Sequence, residues 1–264
     1  MKKISLFLIG CLAMSAVWAQ TETSERKTKK EMRKDRIDAM AKLEEEGVIT
    51  LRKHTVFGGK LTSDGYGGFI EIGRARSVKK AILFQLEITE KKHSKEDKMS
   101  KPDFGGSRPY IFGKINFFYP VKLGVQMQYL LGNKGNKNGV SVTGNLGGGV
   151  SLGLLRPYLF DDVKNGERVW IGYDSPDSLL YLDGPEYGGP GFGTGWNKLK
   201  VTPGAYVKPA VRFDYGRYNE MVSAIEVGLI GEFYSKKIPQ MIYQKQRQFF
   251  FSAYVAVVFG RRKN

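Results

Sequence analysis

Lys208, Arg212 and Asp214 occupy even-numbered positions of one segment, and Glu226 and Glu232 occupy even-numbered positions of the next. Side chains an even number of residues apart share one face of a β-strand. A hairpin through residues 216–220 would set Arg212 opposite Glu226 or its neighbours. Charges gathered on one enclosed face have to be paired and hydrogen-bonded to be tolerated there. The expected arrangement is therefore a structural network of cross-strand ion pairs; a polar constriction for small solutes is the functional alternative.

A second set lies in residues 157–200, which carry seven acidic residues from Asp161 to Glu186 in an otherwise basic chain. Trp170, Asp174, Phe192 and Trp196 are the candidate partner-binding residues of this stretch. Connections this long are usually functional or disordered. The glycine run from Gly188 to Gly193 has neither the strand-to-helix context nor the following Lys-Ser/Thr of a phosphate loop. The aspartates lack the spacing of an EF-hand.

Nucleophilic chemistry has little to work with. A serine hydroxyl needs a histidine and an orienting carboxylate, and the chain has only His54 and His93. His54 lies in a poorly patterned segment and His93 in a charged run, so both read as solvated. With one cysteine and two histidines, a disulfide framework and a Cys/His metal cluster are excluded. The reading is non-enzymatic, without metal or cofactor.

The elements that must position these charges follow from the hydropathy pattern. The chain has 264 residues, a net charge of +16 and 33 glycines, well above the typical ~7%. Residues 1–19 have a basic start, an apolar stretch and a Val17-Trp18-Ala19 cleavage signature, so they read as a signal peptide. A lipobox ending at Cys11 is the rival, opposed by the apolar residues that follow it. Export excludes nucleic acid as a partner despite a pI near 9.7. Residues 20–47 read as a charged periplasmic helix or linker, with Ile37, Met40 and Leu43 spaced by three.

Residues 48–264 alternate. From Val140 to Leu154 the even positions are mostly aliphatic, while the odd positions are small or polar. Similar segments are 123–131, 205–215, 225–233 and 249–259, with weaker ones at 66–76, 81–90 and 110–119, and the weakest at 51–61. A water-soluble sandwich carries abundant charge on its outer faces; here the second face is instead rich in Gly, Ser and Ala. That pattern fits an antiparallel transmembrane β-barrel with a narrow polar interior. Tyr119, Tyr158, Tyr215, Tyr218 and Tyr234 are expected at its interfacial girdles. Ten strands are expected, using a turn at Tyr119-Pro120 and an extra strand through residues 169–173; eight is the alternative. Short turns at 76–79, 119–120 and 216–220 are assigned to the periplasm, and 91–108 and 160–200 to the exterior.

Residues 136–158 (NKNGVSVTGNLGGGVSLGLLRPY), 212–240 (RFDYGRYNEMVSAIEVGLIGEFYSKKIPQ) and the ending FFFSAYVAVVFGRR resemble small outer-membrane β-barrel proteins of Bacteroidota. The resemblance covers most of the chain beyond residue 47. It implies the fold and an outer-membrane location, and no catalytic residue comes with it. The functional expectation is an accessory or scaffold subunit of a cell-envelope complex serving protein secretion or outer-membrane biogenesis. Outer-membrane lipid, lipopolysaccharide and envelope proteins are its expected partners. A small-solute channel is the alternative, and a lipid-A-modifying enzyme the third reading.

Overall fold

The computed structural model describes residues 53–77, 79–100, 108–134, 139–164, 166–172, 188–216, 221–242 and 244–263. The signal peptide and the charged periplasmic helix fall outside the described residues, as do Asp174 and Tyr218.

Eight antiparallel strands close into a barrel: β1 (Lys53–Thr62), β2 (Gly65–Ala75), β3 (Lys80–Lys91), β4 (Asn116–Gly132), β5 (Ser141–Pro157), β6 (Lys200–Asp214), β7 (Met221–Ile238) and β8 (Arg247–Lys263). Each strand pairs with the next in sequence, and β1 closes on β8 through a register running from Lys53 opposite Lys263 to Thr62 opposite Tyr254. Both ends of the barrel sequence, Lys53 and Lys263, therefore lie at one rim, together with residues 76–77, 79, 133–134, 139–140 and 215–216. The opposite rim carries the described parts of the long connections, residues 92–100, 108–115, 158–164, 166–172 and 188–199.

Side chains alternate in burial along every strand, and the polarity is inverted relative to a water-soluble protein. Ile72, Leu86, Met127, Leu146, Val207 and Phe251 point outward and are exposed. Lys60, Glu71, Glu87, Lys122, Lys208 and Glu232 point inward and are buried. A closed interior that holds side chains is what eight strands provide. Inward glycines make room for large rings: a Cβ at Gly153 would sit 2.8 Å from the Phe118 ring and 3.0 Å from that of Tyr234.

The strand number corrects the expectation of ten. Tyr119-Pro120 is not a turn, because both residues lie inside β4, which runs unbroken for 17 residues. Proline cannot donate to a ladder, and Pro120 sits at an interruption of one. The β3–β4 register passes from Ile88–Val121 to Lys91–Phe118 without pairing Pro120. Pro209 does the same in β6, between the Val207–Gly231 and Ala210–Gly228 pairs. Residues 169–173 are not a barrel strand either: Glu167–Gly172 pairs only with Leu159–Lys164, as a separate hairpin. The least patterned segment, 51–61, corresponds to β1; Gly58, Gly59 and Lys60 blur its alternation.

The tyrosine girdle is also corrected. Tyr215 is exposed, but Tyr119, Tyr158 and Tyr234 are buried. Tyr234 shares the inward face of β7 with Ile230 and Glu232, and its hydroxyl donates to Glu232 at 2.7 Å.

Candidate functional site

The inward charges form two layers. Toward the terminal rim, the strand register places Arg212 of β6 directly opposite Glu226 of β7. The Arg212 guanidinium reaches Glu226 at 2.6 Å and, across the lumen, Glu71 of β2 at 2.8 Å. Three strands thus converge on one fork-shaped donor, the geometry at which arginine exceeds lysine. Glu226 also accepts from Tyr254 at 2.6 Å and Asn145 at 3.0 Å, with the Lys208 ammonium at 3.5 Å. Lys208 donates to Gln85 at 2.6 Å. His54 is not solvated as expected; its Nε2 lies 3.1 Å from Glu71 and its side chain is only 12% exposed.

Toward the long-loop rim, Lys122 bridges Glu87 at 3.0 Å and Glu232 at 2.8 Å. Lys60 also pairs with Glu87 and lies 4.3 Å from the centroid of the Tyr254 ring. Lys91 contacts Glu232 at 3.2 Å, Asp64 at 2.9 Å and the Ser252 hydroxyl at 3.0 Å. Above these, Phe118, Tyr234 and Phe250 pack against one another. The described interior is crossed by side chains of opposite charge that pair with one another.

The five charges singled out in the sequence do not form one cluster. Lys208, Arg212 and Glu226 belong to the first layer and Glu232 to the second. Asp214 sits at the terminal rim, paired with Arg262 and 3.6 Å from Lys134. Sequence reasoning missed Lys60, Glu71, Glu87, Lys91 and Lys122, which supply the other half of the network. All but Lys60 lie on or beside segments recognised as alternating, so their polar faces carried the signal.

The long-loop rim is itself built up. Arg156, the penultimate residue of β5, donates to the carbonyls of Gly191, Phe192 and Thr194 and to the Tyr119 hydroxyl. Its guanidinium lies 4.1 Å from the Phe117 ring centroid and 5.1 Å from that of Trp196. Trp196 stacks on Tyr119 at 5.6 Å and donates to the Phe192 carbonyl at 2.6 Å. Trp196 is thus engaged within the chain, while the Phe192 ring is 78% exposed. Trp170 lies on the hairpin, 5.8 Å from the Arg108 guanidinium and partly exposed. Asp161 anchors that hairpin through Arg168 and through Arg108 at 3.1 Å. The hydrogen bond from Arg168, opposed by burial, helps hold the Asp161 carboxyl below its ordinary value. Beside the barrel, Lys114 reaches Glu96 at 2.6 Å.

No family model matches the chain, and no curated protein matches it in sequence. Among solved structures it is similar to the N-terminal β-barrel domain of Pseudomonas aeruginosa OprF, at 12% identity and a TM-score of 0.35, covering 80% of this chain and 98% of that one. It is also similar to Neisserial surface protein A, at 10% identity and a TM-score of 0.37, covering 80% and 95%. Ail, the attachment invasion locus protein of Yersinia pestis, gives 7% identity and a TM-score of 0.37, covering 81% and 99%.

Proposed function

We propose that this chain is a non-conducting outer-membrane barrel that serves as an accessory or scaffold subunit of an envelope complex. The observation that carries the membrane reading is the inversion of polarity: an encircling apolar exterior around an interior of buried, paired charges. Soluble monomers rarely expose contiguous apolar surface on this scale, whereas a barrel in lipid requires it. Strands of 10 to 18 residues meet or exceed the ~9–11 that a tilted crossing needs. The terminal rim then faces the periplasm and the elaborated rim the exterior.

The ion pairs across the lumen favour a scaffold over a channel. A solute passing through would have to separate Arg212 from Glu71 and Glu226, and Lys122 from Glu87 and Glu232, each a buried contact that is costly to break. The elaborated rim, by contrast, offers Phe192 and Trp170 on a braced surface.

Planar-bilayer recording of the refolded protein, with gentle extraction and co-purification from the native envelope, tests the proposal. A silent bilayer and a stable co-purifying envelope protein are expected. Stepwise conductance would overturn the non-conducting reading, and a strictly partner-free monomer the scaffold reading.

A further inference from the structure

The β1–β2 hairpin is short, and this leaves a notch in the barrel wall. β1 stops at Thr62 opposite Tyr254, yet β8 continues outward to Arg247. The outer part of β8 therefore has a ladder partner only on its β7 side, where Ile238 pairs with Arg247. The space that β1 does not reach is a cavity of about 110 Å³ lined in part by Lys92, His93, Lys245, Arg247, Phe250 and Phe251.

Among the described residues, these cations have no carboxylate partner. Lys92, Lys245 and Arg247 form no salt bridge among the described residues, and Lys92 makes only a 5.0 Å approach to the Tyr66 ring centroid. The nearby carboxylates have cationic or hydroxyl partners: Asp64, itself in the cavity lining, pairs with Lys91, Glu96 with Lys114, and Glu90 accepts from the Tyr66 hydroxyl at 2.8 Å. Burial and then the Arg247 charge hold the His93 imidazole below its ordinary value, consistent with an excess of positive charge.

Below the notch, on the outside of the wall, lies a second concavity of about 480 Å³, lined in part by Val207, Leu229, Gly231, Phe233, Phe249 and Phe251. Val207, Gly231 and Phe251 form one row across β6, β7 and β8. Because Gly231 has no side chain, that row is dented between aromatic walls. Phe251 lines both spaces, so a cationic pocket and an apolar groove are continuous at one residue.

We propose that notch and groove together bind one phosphate-bearing membrane lipid, its phosphate among Lys92, Lys245 and Arg247 and an acyl chain passing Phe251 into the dent at Gly231. The proposal rests on the membrane reading above. An anionic oxygen cluster satisfies Lys and Arg donors with charge-assisted hydrogen bonds, and each basic residue near a lipid surface adds roughly a fivefold gain in binding to anionic lipid.

The test is native mass spectrometry of the folded barrel released from uncharged detergent, with phosphatidylglycerol, diacylglycerol and inorganic phosphate as probes. Phosphatidylglycerol should be retained and diacylglycerol lost. Lys245→Ser with Arg247→Ser should weaken retention about thirtyfold, while Arg247→Lys should keep most of it. Gly231→Leu should weaken lipid retention; the atoms nearest a Cβ there belong to Val207 and Phe249, at 3.6 and 3.9 Å, ordinary contact distances that the fold tolerates. Equal retention of the two lipids, or indifference to loss of both cations, would overturn the proposal. So would displacement by micromolar phosphate together with indifference to Gly231→Leu, which would mark a free-anion site. Heat-modifiable mobility and vesicle insertion, measured on the same samples, separate failure of the lipid site from failure of the membrane reading.

Discussion

Arg212 serves two carboxylates, and this makes its removal a three-body experiment. Glu71 and Glu226 are both 0% exposed. Breaking a buried pair costs ~3–5 kcal/mol, mostly because the remaining charge is left uncompensated. Arg212→Met strands two such charges, but Glu226 keeps Tyr254, Asn145 and Lys208, and Glu71 keeps His54. The expected loss is therefore near the top of that range, ~5 kcal/mol. Glu226→Gln alone leaves Arg212 with Glu71 and should cost less, ~2–3 kcal/mol. The Arg212→Met/Glu226→Gln double change should recover only ~1–2 kcal/mol, because Glu71 stays charged. Adding Glu71→Gln should restore most of the remainder, since an uncharged replacement of a buried ionic cluster is often neutral. Urea unfolding of the refolded barrel, followed by heat-modifiable gel mobility, reads all four variants. Strict additivity would show that the three side chains do not meet. Full recovery in the double change would remove Glu71 from the network.

Val150→Arg, on the exposed face of β5, should cost ~2–4 kcal/mol if it lies near the bilayer midplane, read by the same unfolding assay. Ser151→Arg, one residue on, points into the lumen where Ser151 meets Tyr234 at 2.9 Å; it should block folding through lack of space, seen as loss of the compact band even in detergent. Arg156→Ala should free residues 191–196 from the barrel, and limited proteolysis should then cut there; Arg156→Lys should fail to restore protection, because an ammonium cannot reproduce the planar fork. Asp161 is held below the ordinary aspartate value of ~3.9. Its contribution to the Leu159–Gly172 hairpin should therefore be complete above that value and disappear as the pH falls through the lower folded-state value. Hydrogen exchange of the hairpin amides at descending pH measures this, and Asp161→Asn should abolish the dependence.

Much of the barrel is readable from alternation, because a lipid-facing wall imposes an apolar residue at every second position and the eye needs no tertiary information to find it. Residues 140–154 and 249–259 match β5 and β8 closely for that reason. Local punctuation was misleading where register decides the outcome. Tyr119-Pro120 has the composition of a turn, yet the proline falls at a gap in the β3–β4 ladder, and the strand runs on through it. Tyr234 has the composition of a girdle residue, but its parity places it inward with Glu232. The Arg212–Glu226 contact was legible because a short hairpin fixes it. The Arg212–Glu71 contact was not, because it joins residues 141 positions apart and exists only across the closed lumen.

That last contact bears on how the barrel comes together. A growing sheet of hairpins can satisfy Arg212 with Glu226 early, since the two strands are consecutive. Glu71 finds Arg212 only when the β1–β8 seam has shut. An open sheet would therefore carry stranded charges on a concave face, and the last step is rewarded from the inside as well as by the seam's own ladder. Folding should be strongly cooperative, with half-closed forms scarce, and the seam should resist sideways parting once the ionic layers have set.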